Sequence, residues 1–263
     1  MQLSTVDPIS LPPTRKLAAL LISDVHLKQE SPQTAAAFFQ FLENVGTQTQ
    51  QLYLLGDLFE YWAGDDDRDA PFNARVVSAL RKLSDVGVKV FWMAGNRDFL
   101  VGPAFMLATG ATYLRDPSVV SIAGRSIVLT HGDAQCTDDV DYQLFRSQVR
   151  AARWQQDFLA RPLPERLVVI NQMREQSRVA QSVKTQQIMD VNTQAVDALF
   201  TATDTSLMIH GHTHRPGVHE SVLNDERVVR HVLPDWDFEN GATRGGGIAI
   251  DANGIVAAVN VCS

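Results

Sequence analysis

Cysteine is scarce: Cys136 and Cys262 are the only two among 263 residues. So far apart, they offer neither a disulfide scaffold nor metal-ligand spacing, and they point to a reducing, cytoplasmic setting. No run approaches about 18 consecutive apolar residues, which excludes a membrane-spanning helix. The opening MQLSTVDPISLPPTRK has no basic start followed by an apolar stretch, so no secretory signal is expected. Internal repeats and low-complexity segments are also missing. Positive charge is in deficit, with 23 Lys and Arg against 30 Asp and Glu and a net charge of −7. That balance disfavours a general nucleic-acid binder, and no nucleic-acid partner is expected. What remains is ordinary for a soluble globular chain, 45% hydrophobic and 20% charged, which excludes disorder as the main state. The length suits one large domain or two small ones.

Residues 1–15 read as a loose extension, because Pro8, Pro12 and Pro13 discourage regular structure. From residue 16 to residue 263 the chain reads as one domain. Short apolar runs recur at Leu17–Ser23, Leu52–Asp57, Val88–Gly95, Ile127–Gly132 and Leu207–His212, each closed by polar residues, as buried strands are. Helical patterns lie between the first of them, at Ala35–Val45 and Phe72–Val86. The alternation predicts an α/β architecture. It breaks between Thr137 and about Thr201, where Leu144, Phe145, Val149, Trp154, Phe158 and Leu159 recur at helical spacing; this stretch reads as an inserted helical cap, about 137–201. Strands resume at Val228–Leu233 and Gly247–Ile250, and the stretch after Gly241 is expected to complete a second sheet. Within the cap, Tyr142–Lys184 carries eight basic residues against three acidic ones, a local balance of +5. Such an island is either a solvated helical face or a surface for an anionic ligand or membrane.

The chemistry sits where the strands end. The five runs close on Ser23-Asp24-Val25-His26, Gly56-Asp57, Gly95-Asn96-Arg97-Asp98, His131-Gly132-Asp133 and Gly211-His212-Thr213-His214. Ligands of open α/β sheets bind beyond the carboxyl ends of strands. Asp24, His26, Asp57, Asn96, His131, His212 and His214 are thereby delivered toward one place. Carboxylate, imidazole and amide oxygen together suit Mn²⁺, Fe or Zn²⁺, and seven donors exceed one four-coordinate ion but suit two ions sharing a carboxylate. In extended backbone, residues two apart point the same way, so Asp24 with His26, and His212 with His214, can each reach one cluster. Neighbouring glycines allow sharp turns there.

In this order the segments resemble the calcineurin-like metallophosphoesterases. The resemblance implies a two-sheet sandwich flanked by helices and two bound metals. Asp24, His26 and His214 would hold the first, Asn96, His131 and His212 the second, and Asp57 would bridge them and help hold a metal-bound water or hydroxide. Further segments, Gly56-Asp57-Leu58-Phe59, Gly64-Asp65-Asp66-Asp67, Gly95–Leu100, His131–Asp139, Ile188–Asn192 and His210–Pro216, resemble one subfamily, diphosphatases of the lipid A pathway; that match runs from about Leu17 to about Gly241. It implies Mn²⁺-dependent hydrolysis of UDP-2,3-diacylglucosamine to UMP and diacylglucosamine 1-phosphate, with hydroxide attacking the α-phosphorus, at the cytoplasmic face of the inner membrane. The cap would grip the acyl chains. Head-group contacts would fall on Asn96, Arg97, Asp139, Ser177, Gln181, Lys184 and His212, and the catalytic set on Asp57, Asn96, Arg97 and His212. The trio Ser177, Gln181 and Lys184 lies on one helix face, although Gln181 stands where relatives can carry Asn.

Arg97 stands where many family members have a proton-donating His. A guanidinium donates no proton usefully at neutral pH but can hold two phosphate oxygens. A pyrophosphate fits, because its leaving group is a phosphate with a last pKa of about 6. Rival readings are another phosphoesterase, a nuclease, or a non-catalytic module on the same fold. His210 is expected to end a buried strand, His219 and His231 lack a partner at ligand spacing, and Asp65, Asp66, Asp67 and Asp69 suggest an exposed acidic loop. Cys136 reads as a packing residue, and Trp62, Trp92 and Trp154 as core or cap-lining side chains.

Overall fold

Strands β1 (Ala19–Ile22), β2 (Gln51–Leu55) and β3 (Lys89–Met93) pair in parallel, Leu20 opposite Leu52 and Leu52 opposite Val90. The computed structural model from which this is read describes residues 17–183, 188 and 190–261. Helix α1 (Pro32–Asn44) connects β1 to β2, and α2 (Pro71–Asp85) connects β2 to β3. Each opens with proline in its first turn, where the missing N–H leaves no bond unmade. Helix α3 (Pro103–Thr109) stops at left-handed Gly110 and leads into β4 (Thr112–Leu114) beside β3.

A second sheet holds β5 (Ser118–Ile122), β6 (Arg125–Thr130), β7 (Leu207–His210), β8 (Gly217–Leu223) and β9 (Glu226–Val232), in the order β5-β6-β7-β9-β8. The last strands, β10 (Gly246–Ile250) and β11 (Val256–Asn260), correct the sequence expectation. They extend the first sheet, not the second, with β10 antiparallel to β1. Gly247 permits this, since a Cβ there would lie 2.3 Å from the Leu21 carbonyl oxygen.

Strand alternation divides the core in two. Leu20, Ile22, Leu52, Leu54, Val90 and Trp92 meet Phe38, Phe41, Val76 and Leu80 of the helices. Leu21, Tyr53, Leu55 and Met93 face the other way and pack on Ile127, Leu129, Leu207 and Ile209 of the second sheet. Helix α7 (Thr193–Thr203) covers the outer face of that sheet, packing Val196 and Phe200 on Val128 and Met208. The family's two-sheet sandwich flanked by helices is thus what the chain forms.

Helices α4 (Val140–Val149), α5 (Ala152–Leu159) and α6 (Leu163–Val183) occupy the stretch read as a cap. Four of its eight basic residues answer neither reading of the basic island: they fasten the helices down. Arg146 donates from Nε to Asp133 at 2.9 Å, and Arg150 donates to the Gly95 carbonyl at 2.9 Å. Arg166, only 2% exposed, bonds the Ala63 carbonyl and the Asp66 carboxylate. Arg174 donates to Glu60 at 2.9 Å. Asp65 is not part of a free acidic loop either. It accepts from the backbone of Gly102, Ala104 and Phe105 at 2.8–3.1 Å and from the Trp62 indole, so it caps the start of α3. Trp62 and Trp92 are core residues, and Trp154 stacks on Phe158 with centroids 4.8 Å apart.

His210 ends β7 fully buried, as expected of a strand terminus. Its Nδ1 lies 2.8 Å from the Gly211 carbonyl and its Nε2 2.9 Å from the Arg230 guanidinium. Nδ1 therefore donates, Nε2 accepts, and the ring is neutral. Burial first, then Arg230, pushes its pKa from 6.5 down to about 3. The stability this neutral ring contributes is complete above pH 6.5 and is lost as pH falls from there toward 3, by roughly 1.4 kcal/mol per pH unit. Urea unfolding between pH 7.5 and 4 should show His210→Gln with a shallower acid loss than the parent; equal slopes would refute the assignment.

Candidate metal centre

Seven side chains from five strand ends converge at one edge of the sandwich. Asp24 and His26 follow β1, Asp57 follows β2 and Asn96 follows β3; His131 follows β6, and His212 and His214 follow β7. The turns that deliver them are not extended. Asp24, His26, Asp57, His212 and His214 all have φ between 51° and 68°. Same-side projection of residues two apart is therefore achieved by left-handed backbone at both positions and not by strand alternation. Each such residue costs on the order of 1–3 kcal/mol and persists only where the surroundings hold it. The glycines act in two ways. Gly56 and Gly132 adopt φ of 90° and 112°, whereas Gly95 and Gly211 make room: a Cβ would lie 2.1 Å from Asp57 Oδ1 at the former and 2.2 Å from Asp24 Oδ2 at the latter.

The donor atoms fall into two groups. His26 Nε2 and His214 Nε2 face each other at 3.2 Å, and His214 Nε2 lies 3.4 Å from Asp24 Oδ1. Asn96 Oδ1 sits 2.9 Å from His131 Nε2 and 2.8 Å from His212 Nδ1. Asp57 stands between them, with Oδ2 4.0 Å from His26 Nε2 and Oδ1 3.8 Å from His131 Nε2. Donor atoms of Asp24, His26 and His214, and again of Asp24, Asp57 and His131, lie within 4.8 Å of one another.

The surroundings aim these atoms inward. His131 Nδ1 donates to the Leu55 carbonyl at 2.9 Å, which turns Nε2 toward Asn96 and Asp57. His26 Nδ1 faces Glu60 at 3.3 Å, and His214 Nδ1 faces Asp235 at 3.8 Å. Asp57 Oδ1 accepts the Arg97 amide at 2.8 Å. Buried Asp98 accepts the amides of Asp57, Leu58, Phe59 and Gly95 at 2.8–3.3 Å, which fixes the β2 and β3 ends together. Asp24 Oδ1 is buried yet makes no hydrogen bond, as an oxygen reserved for a cation would be. Burial opposes ionisation of Asp24, but the imidazoles of His214, His131 and His26 hold its carboxyl well below the usual range. Burial also opposes charge on His131, yet Asp57, Asp24 and Asp133 raise it to about 9; burial and His131 together push His212 down to about 4. The carboxylate charge that raises His131 would equally favour divalent cations, whose binding would displace the imidazole proton.

A cavity of about 480 Å³ opens from this centre and runs beneath the cap. Of the remaining expected site residues, Arg97, Asp139 and Ser177 line it; Gln181 lies on α6, and Lys184 is outside the described residues. Phe99, Phe145, Trp154, Phe158, Ile170 and Met173 give it an apolar wall. Sequence reasoning missed Glu60, Tyr142, Arg174 and Arg215, which also line it. Tyr142 stacks over His212 with centroids 6.0 Å apart and donates to Asp133 at 2.6 Å. Asp133 had a signal, its place in His131-Gly132-Asp133; Glu60 had none, since its partners lie 34 and 114 residues away. Cys136 is buried, and burial with Asp133 pushes its thiol up to about 12, which suits packing and not nucleophilic attack. His219 and His231 lie on β8 and β9 and do not line the cavity.

A model of the calcineurin-like phosphoesterase family matches residues 17–216, a span that holds all seven converging side chains. The chain belongs to that family. Within it, the chain is 46% identical over 220 residues to a UDP-2,3-diacylglucosamine hydrolase from Aromatoleum aromaticum, covering 84% of this chain and 89% of the relative. Enzymes of the same name from Edwardsiella ictaluri and Pseudomonas putida are 42% and 41% identical, over 91% and 89% of this chain and 90% and 95% of theirs. These relatives place the chain in the UDP-2,3-diacylglucosamine hydrolase branch.

Proposed function

We propose that the chain hydrolyses the diphosphate of UDP-2,3-diacylglucosamine, releasing UMP and 2,3-diacylglucosamine 1-phosphate. The observation that carries this reading is one cavity joining a polar centre built for cations to an apolar chamber under the cap. Asp24, His26 and His214 would hold one cation, Asn96, His131 and His212 the other, with Asp57 between. Two divalent cations, Mn²⁺ in this reading, would bring the pKa of water toward neutrality and neutralise charge on the reacting phosphate.

The chain supplies the rest. Arg97 offers its guanidinium fork to two phosphoryl oxygens at the cavity wall. No proton donor is required opposite it, because the departing group is itself a phosphate of pKa about 6. Asn96 and His212 stand close enough to orient the same oxygens, and Tyr142 stacked on His212 limits how that ring turns. Asp139 and Ser177 can accept and donate to sugar hydroxyls, and the aromatic wall takes the acyl chains and keeps water from the centre.

Among the described residues, no helix is long and apolar enough to cross a membrane. The cap nonetheless exposes Val140, Leu144, Phe145, Leu159, Val168 and Val179, with Arg153 beside them on α5. Such a surface suits peripheral attachment to an anionic leaflet, here the cytoplasmic face of the inner membrane. The test is UMP release from UDP-2,3-diacylglucosamine in detergent with Mn²⁺, beside UDP-glucose and p-nitrophenyl phosphate. The acylated substrate alone should turn over. Turnover of the simple compounds with the lipid ignored would retain a phosphoesterase and reject the lipid assignment.

A further inference from the structure

The cap reaches one ligand of the cation group through an intervening carboxylate. Glu60 follows the turn that carries Asp57, and its backbone N–H donates to the Leu27 carbonyl at 3.1 Å, so it is held against the turn that carries His26. One carboxylate oxygen, Oε2, faces His26 Nδ1 at 3.3 Å. The other, Oε1, accepts from Arg174 Nη2 of α6 at 2.9 Å. Arg174 is itself oriented, with its guanidinium carbon 5.2 Å from the centre of the Tyr61 ring. A carboxylate on the far nitrogen of an imidazole fixes the ring's tautomer and direction and raises its basicity as a ligand. Here the carboxylate is clamped by a residue of the cap, whereas the corresponding support of His131 is a core carbonyl and that of His214 is Asp235, bonded to Arg244.

We propose that Glu60 is a positioning residue for His26, and that Arg174 clamps it from the cap, so that cation affinity at the Asp24–His26–His214 group depends on the cap's position. The proposal rests on the metal-centre reading above. Coupling between sites is reciprocal: what strengthens cation binding when the cap is seated makes a bound cation favour the seated cap by the same factor. A substrate gripped by the cap and a cation at this group would then each improve the other's hold.

The experiment is Mn²⁺ titration of the metal-stripped full-length chain, followed calorimetrically and by the spin-coupled paramagnetic resonance signal of a manganese pair. The parent should take up two ions. Glu60→Ala should weaken one of them by roughly 10–100-fold, the range for a lost support of a ligating His, and leave the other unchanged. Glu60→Gln, of the same shape, should weaken it less, and it carries the test should the alanine variant fail to fold. Arg174→Ala should weaken the same ion by about 3–10-fold, and Arg174→Lys by less, since an ammonium keeps the charge without the planar fork. The double variant should be no worse than Glu60→Ala alone, because Arg174 acts through Glu60. Arg81→Ala, an exposed arginine of α2 paired with Asp85, should leave both Mn²⁺ affinities unchanged. Unchanged affinity in both Glu60 variants, or additive losses in the double variant, would overturn the proposal while two ions in the parent leave the metal centre standing. A parent that binds no Mn²⁺ would overturn both.

Discussion

Asp57→Ala is expected to lose the paired metal centre and at least about a thousandfold in kcat/KM, equivalent to roughly 4 kcal/mol of transition-state stabilisation. Its carboxylate presents one oxygen to each half of the cluster, Oδ2 toward His26 and Oδ1 toward His131. Removing it leaves the two halves without a shared ligand, and it also frees the Arg97 amide that donates to Oδ1. The apo fold should tolerate the change, since the lost carboxylate is buried close to Asp98 and raises the cost of ionising it. Metal content after gel filtration, with UMP release on the same sample, checks this. A variant that keeps two ions and activity within tenfold of the parent would remove Asp57 from the bridging position.

Arg97→Ala is expected to behave in the opposite sense: both ions retained, kcat/KM down by about 10²–10³-fold, the range for deleting one preorganised group facing developing charge. The separation is possible because Arg97 meets Asp57 only through its backbone amide in the contacts that build the centre, and alanine keeps that amide. Its side chain points into the cavity. Arg97→Lys should recover part of the rate, because a point charge replaces a two-pronged donor. If Arg97→Ala instead loses its ions and keeps its rate per bound ion, the residue belongs to the scaffold of the centre and not to the substrate.

The converging side chains were legible because each one closes an apolar run, and a strand end carries its polar residue to the same edge whatever the register. The inference that Asp24 with His26, and His212 with His214, share a direction reached the right place by the wrong geometry: the backbone there is left-handed, a conformation no alternation rule contains. The supports were not legible. Glu60 and Asp235 act on rings they meet only in the folded chain, and Asp65 and Asp98 bond backbone amides that carry no side-chain signature. The arginines of the cap misled for the same reason. Composition registers their charge, but only the fold reveals that Arg146, Arg150, Arg166 and Arg174 spend it on the core. β10 and β11 joined the other sheet because a pair of glycines, Gly246 and Gly247, lets the chain lie close against β1 and β11, a steric permission without periodicity.

The proposed ligands are drawn from both sheets, Asp24 to Asn96 from one and His131 to His214 from the other. Cations bound among them would act as removable cross-links through the sandwich, tying together residues as much as 190 positions apart in the sequence, Asp24 and His214. Closing so long a loop removes much of the freedom of the unfolded chain. Among the described residues there is no disulfide, and bound ions would fill that office reversibly. Bound ions would then add stability that grows with their free concentration, so that the proposed centre would also serve as a clasp between the sheets.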